Sequence, residues 1–140
     1  MNNPLSVCLW FNGQAKEAAE FYCSMFPDSK ITADTPMVVT FELNGSKFMG
    51  LNGGPQFQFN EAISLVINCE TQEEIDHYWN KLSQGGQEGQ CGWLKDRFGV
   101  SWQVVPTILG KLMSDPSKRE RVMKAFMQMN KFDIQKLQQA

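Results

Sequence analysis

Cys91-Gly92-Trp93-Leu94-Lys95-Asp96-Arg97-Phe98-Gly99-Val100-Ser101-Trp102-Gln103-Val104-Val105-Pro106 is the stretch on which the fold turns. It reads as a hairpin: a strand over 93–96, a turn at Arg97-Phe98-Gly99, and a strand over 100–105 that Pro106 closes. Before it, a short strand is expected near 87–90, after the helix-ending Gln84-Gly85-Gly86. Ile75, Tyr78, Trp79 and Leu82 share one helical stripe ahead of those glycines. Thr71 can cap that helix, and Glu74 three residues on completes a capping box. Residues 63–69 form a β-branched strand before the helix, with Ile63, Leu65 and Ile67 on one side.

The same order stands earlier in the chain. Leu5, Val7, Leu9 and Phe11 alternate with Ser6, Cys8 and Trp10 as a period-two strand. Asn12-Gly13 ends it and can cap a helix whose stripe is Ala15, Ala18, Ala19, Tyr22, Met25 and Phe26, stopped by Pro27-Asp28-Ser29. A weak strand at 30–32 and a firmer one at 37–43 follow, and Asn44-Gly45 turns the chain into a strand over 46–52. Gly53-Gly54-Pro55 then breaks regular structure, and 56–61 is a loop carrying Phe57 and Phe59. Strand–helix–strand–strand–strand thus occurs twice. Phe21-Tyr22 and Tyr78-Trp79 stand about 57 residues apart, and the turn glycines Gly45 and Gly99 about 54, the size of a supersecondary unit. The reading is one domain over 1–140: a module at about 4–54, a second at about 61–106, and a helical tail at about 107–140.

In the tail, Asp115-Pro116 starts a helix with the stripe Val122, Met123, Phe126 and Met127. Asp133 caps a last short helix carrying Ile134 and Leu137. These apolar faces cover either their own sheet or a second subunit.

Composition narrows the function. With 42% hydrophobic and 20% charged residues the 140-residue chain is globular, and a net charge of −2 argues against a nucleic-acid partner. No apolar run is long enough for a membrane span, and Met1-Asn2-Asn3-Pro4 shows no secretory leader, so a cytoplasmic location is expected. Cys8, Cys23, Cys69 and Cys91 lack the close pairing of metal or redox motifs and read as buried free thiols. One histidine, His77, excludes multi-histidine zinc sites.

Several strings resemble the vicinal oxygen chelate superfamily of glyoxalases, extradiol dioxygenases and bleomycin-resistance proteins, and more narrowly its PhnB-like branch, labelled demethylubiquinone methyltransferase-like. They are Leu9-Trp10-Phe11 leading to Glu20-Phe21-Tyr22, Leu51-Asn52-Gly53-Gly54-Pro55 leading to Phe59-Asn60-Glu61-Ala62-Ile63-Ser64, the stretch Cys91 to Pro106, and Val122-Met123 with Gln128-Met129 in the tail. The connection between Ile31 and Met37 is shorter than in many relatives, which leaves the cleft more open. The resemblance implies an α+β fold of paired βαβββ modules curled around a cleft and assembled as a homodimer. In metal-using members it implies four ligands, typically His, Gln or Glu, from the first and last strand of each module.

Here those positions read Ser6 or Cys8, Met49, Ala62 or Ser64, and Gln103. Only Gln103 offers an oxygen of the expected kind, and it is neutral, so no metal or other cofactor is expected. His77 lies about 200° round its helix from Ile75, away from the apolar stripe. Ser6, Ser64 and Ser101 have no histidine partner, which excludes a serine triad. Cys8 is either a nucleophile or a small apolar liner. The paired glycines 53–54 and 85–86 do not stand between a strand and a helix as phosphate loops do.

Glu61, Lys95 and Asp96 are the charged groups nearest the specific strings. Glu61 in apolar surroundings is a candidate general base with a raised pKa; otherwise it caps a strand edge, with Lys95-Asp96 in an exposed hairpin. Trp10, Phe57, Phe59, Trp93 and Trp102 mark an aromatic cleft, although core packing accounts for most of them. The expected function is metal-independent binding of a small apolar or aromatic molecule by Cys8, Trp10, Met49, Leu51, Ser64, Ser101 and Gln103. A metal-independent enzyme using Glu61 or Lys95, the methyl transfer of the family label included, is the alternative, and a structural or interaction domain is a third.

Overall fold

Alternating residues become strands only where a neighbouring strand pairs with them, and this sets the true element ends. The computed structural model describes residues 1–140, in the order β1 (Val7–Phe11), α1 (Ala15–Cys23), β2 (Ser29–Asp34), β3 (Val38–Leu43), β4 (Ser46–Asn52), β5 (Leu65–Cys69), α2 (Gln72–Leu82), β6 (Gln87–Glu88), β7 (Trp93–Lys95), β8 (Ser101–Pro106), α3 (Ile108–Met113), α4 (Arg119–Phe126) and α5 (Ile134–Gln139). The chain divides into two compact units, Met1–Phe59 and Asn60–Ala140. Each contains one four-stranded sheet, ordered β1-β4-β3-β2 in the first and β5-β8-β7-β6 in the second. In both sheets the first and last strands of the βαβββ order pair in parallel, and the other neighbours run antiparallel. The expected α+β repeat is the observed fold.

In the first unit the helical stripe is the packing face. Ala15, Ala18, Ala19 and Tyr22 are buried against a sheet face that carries Leu9, Phe11, Val39, Phe41 and Leu43. The small stripe lets the helix sit close: a Cβ on Gly50 would lie 3.0 Å from the Ala15 Cβ. Asn44 and Gly45 both have positive φ, as a two-residue hairpin turn requires. The helix start departs from expectation, because Asn12 and Gly13 do not cap it. Instead the Asn52 Oδ1, at the end of β4, accepts from Ala15 N at 2.9 Å. β2 is longer than the expected 30–32 because β3 gives it partners from Ser29 to Asp34, with a bulge between Ile31 and Ala33.

In the second unit the Thr71 hydroxyl accepts from Glu74 N and donates to its carboxylate, each at 3.2 Å, as the capping box predicts. Ile75, Tyr78, Trp79 and Leu82 are buried. The tail packs on its own unit. Gly92 receives the ring of Phe132 where a Cβ would fall 2.5 Å from it, and Cys91 N and Gly92 N donate to the carbonyls of Met129 and Asn130. Gln72 clamps the tail backbone twice, donating to the Phe132 carbonyl and accepting from Ile134 N, both at 2.9 Å. Asp133 caps α5 as expected. Val122, Phe132 and Leu137 are buried, whereas Met123 and Met127 remain exposed. No helix is long and apolar enough to cross a membrane.

Three expectations need correction. Leu5 and Ile63, read as strand residues, lie ahead of β1 and β5 without a strand beside them and are exposed; Val7 is also partly exposed. Of the cysteines only Cys69 is buried: Cys8 is exposed, and Cys23 and Cys91 are half-buried. Asp96 is not in an exposed hairpin. It is 3% exposed, and its Oδ1 accepts from Phe98 N and Val100 N while its Oδ2 accepts from the Trp102 indole at 2.9 Å.

Removing a buried acceptor strands its donors, and each stranded donor costs about 1–3 kcal/mol. Asp96→Ala should therefore lower unfolding stability in urea by about 3 kcal/mol or more, whereas Ser114→Ala, at an exposed hydroxyl, should leave the midpoint within error.

Candidate functional site

The pairing of β7 with β8 decides which side chains meet. Lys95 stands opposite Ser101 and Trp93 opposite Gln103, so all four rise from the sheet face turned away from α2. Leu94 and Trp102, also opposite one another, point into the core on the other side. On the open face lies a pocket of about 140 Å³, walled by Trp93, Lys95, Ser101, Gln87, Gly89 and Glu61, with Leu94 and Glu88 completing it.

Ser101 is the unusual member. It is 1% exposed, and its Oγ is the one buried side-chain oxygen or nitrogen without a hydrogen-bond partner. A buried hydroxyl left unpaired costs free energy, so its position in a pocket wall needs a reason. At the rim, the Lys95 ammonium meets the Glu61 carboxylate, with both side chains partly exposed. Glu61 comes from the turn before β5, where the Asn60 Oδ1 accepts from Ala62 N. The lysine hydrogen bond, a backbone hydrogen bond and the ammonium charge hold the Glu61 pKa below its ordinary value. This reverses the raised pKa expected of a general base, because the carboxylate faces a cation and solvent rather than apolar walls.

The other sequence-named residues fall in two groups. Gln103 and Ser64 share the open face of the second sheet, where Gln103 Nε2 donates to Ser64 Oγ at 2.9 Å. Cys8, Trp10, Met49 and Leu51 share one face of the first sheet, with Cys8 paired to Met49 and Trp10 to Leu51 across β1 and β4. Trp10 is already engaged. Its indole donates to the Gly54 carbonyl at 2.9 Å, and Phe57 lies edge-on at 4.9 Å. A Cβ on Gly53 would fall 2.3 Å from the same indole. Gly86 has a similar role, since a Cβ there would meet the Lys95 carbonyl at 2.1 Å. Both glycine pairs therefore serve close packing. Phe59 packs edge-on against Phe11, and Trp102 is buried on Asp96.

The donor set does not fit the superfamily's metal. Gln103 is bonded to Ser64, Cys8 and Met49 supply sulfur, and neither imidazole nor carboxylate stands at these positions. His77 is exposed on α2 with its ring against Tyr78. No three His, Cys, Asp or Glu side chains cluster as metal ligands would. A wider groove of about 710 Å³ runs between the start of α2 and the tail, but its polar groups bind one another, Lys131 to Asp76 and Gln72 to the tail backbone.

A family model described as 3-demethylubiquinone-9 3-methyltransferase matches residues 3–105. The chain belongs to that family. A PhnB protein of Bacillus cereus bearing the same methyltransferase name is 35% identical, over 75% of this chain and 100% of that one, with a TM-score of 0.69. A protein from Pseudomonas aeruginosa shares the fold at 21% identity, with 75% and 98% coverage and a TM-score of 0.65. A glyoxalase-related enzyme from Fulvimarina pelagi shares it at 13% identity, with 77% and 91% coverage and a TM-score of 0.55. A comparison with curated proteins finds no match. The βαβββ repeat agrees with the vicinal oxygen chelate fold that the sequence resembles.

The sequence reading named Asp96 but not its role, which is to fix the turn between Lys95 and Ser101 from a buried position. A signal was present: Val100, Trp102 and Val104 alternate onto the core face, and a buried indole N–H requires an acceptor.

The lowered Glu61 pKa sets a pH window. The ion pair should persist above the ordinary glutamate value of 4.5 and be lost as pH falls through the lower folded value. An NMR titration should place the Glu61 carboxyl below 4.5 and return it toward that value in Lys95→Met.

Proposed function

We propose that this protein binds a small, largely apolar molecule on the open face of its second sheet, without a metal. The observation that carries this is the Ser101 hydroxyl, buried and unpartnered in a pocket wall. Trp93 supplies apolar surface, and the pocket of about 140 Å³ is close to the roughly 150 Å³ that holds a single aromatic ring. A few placed polar groups beside an aromatic surface is the usual composition of a small-molecule site. Metal independence is supported by the donor set: a neutral amide already bonded to a serine offers a divalent cation too little. The four unpaired cysteines are consistent with a cytoplasmic location.

The enzymatic alternative retains Glu61 and Lys95 as candidate proton carriers at the pocket rim. Their mutual pairing favours binding over catalysis, because the ammonium holds Glu61 in its charged form.

Titration with phenol should quench tryptophan emission saturably, and Trp93→Phe should remove most of the change. Wild type and Trp93→Phe responding alike would overturn the assignment to this pocket.

Assembly as a homodimer is part of the same reading. β1 and β5 are edge strands, and Val7, Ile63 and Val66 expose apolar surface on or beside them. Light scattering should give twice the chain mass at micromolar concentration, and Val66→Glu should shift it toward the monomer. A monomeric wild-type protein at these concentrations would refute the dimer.

A further inference from the structure

We infer that the ligand of this pocket carries a carboxylate, received by Lys95 and Ser101, and that Glu61 occupies the carboxylate position until it arrives. The inference rests on the pocket reading above.

Lys95 and Ser101 are Cα partners on antiparallel strands, so the ammonium and the hydroxyl rise side by side. The hydroxyl has a proton to donate and nothing in the protein to receive it. The ammonium has a receiver, but that receiver does not belong to the sheet. Glu61 reaches it from a turn before β5, and 59% of its side chain is exposed. The two partners are therefore unequal. Lys95 is fixed by a strand whose next residue, Asp96, is buried and triply bonded, while Glu61 sits on a solvent-facing loop. If the pair opens, the carboxylate swings into water and the cation stays.

An incoming carboxylate restores what Glu61 gave the cation and adds what Glu61 does not give, a hydrogen bond from Ser101. Hydrogen bonds to an ionised acceptor are about twice as strong as neutral ones. The exchange leaves no charge unpaired in the pocket, since Glu61 is hydrated once released. Trp93 lies two residues before Lys95 on the same face, placed to meet an apolar body attached to the carboxylate. The volume of about 140 Å³ limits that body to roughly one ring. The class that fits is a small aromatic or branched aliphatic acid. An amine would pair with Glu61, the solvent-facing partner, and leave Lys95 without an anion.

Calorimetric titration with benzoate, benzamide and benzylamine tests this. Wild type should bind benzoate at least tenfold more tightly than the other two. Glu61→Gln, which removes the competing carboxylate, should tighten benzoate several-fold. Lys95→Met should abolish the preference for benzoate over benzamide, and Ser101→Ala should weaken benzoate while far-UV circular dichroism stays unchanged. Equal binding of benzoate and benzamide, tighter binding of benzylamine, or weaker benzoate binding by Glu61→Gln would overturn the carboxylate inference and leave the pocket reading standing. Failure of all three probes, and of phenol, to bind would overturn both.

Discussion

The carboxylate of Asp96 is the constraint on which the second unit's working face depends. Three donors converge on it, two from the turn backbone and one from the Trp102 indole, in a place that water scarcely reaches. Charge-assisted bonds of this kind are strong because the acceptor has no competing solvent. They fix the turn at Arg97-Phe98-Gly99, and the turn fixes the register that sets Lys95 opposite Ser101. A slip of one residue would send both to the core side and bring Leu94 and Trp102 outward. The carboxylate touches nothing in the pocket, yet the pocket exists only in the register it holds.

The two halves show how one architecture can hold different surfaces. Both use a helix over a four-stranded sheet whose first and last strands in chain order pair in parallel. In the first, the open face carries Cys8, Met49, Leu51 and a tryptophan whose indole is bonded to the following loop. In the second, it carries an amide, two hydroxyls and an ion pair. The family resemblance accounts for the repeat. The chemistry lies in the side chains that the repeat leaves free to differ.

Most of the architecture was legible because it depends on local pattern. The stripes of α1 and α2, the Asn44-Gly45 turn and the Thr71 capping box concern residues within a few positions of each other, and each appears as read except that α1 ends at Cys23, before Met25 and Phe26. Legibility ended where partners are distant. Leu5 and Ile63 continue the alternation of their strands, but alternation does not reveal where a neighbouring strand begins. The tail's docking depends on positive φ at Cys91 and Gly92 and on Gln72 about 60 residues away. For the site, Ser101, Lys95 and Glu61 were named from the sequence, but the Glu61 shift runs opposite to the raised pKa expected of a general base, because its direction depends on which charge faces it.

The unequal helix caps give the two halves different folding schedules. Thr71 and Glu74 close the start of α2 from within four residues, so that helix can begin as soon as its own turn forms. The first turn of α1 instead takes its acceptor from Asn52, 37 residues along the chain. Closing a loop of that length costs entropy before the bond can repay it. α1 thus completes its end only after β4 has reached its place beside β1, and during synthesis it emerges from the ribosome with its cap still to be made.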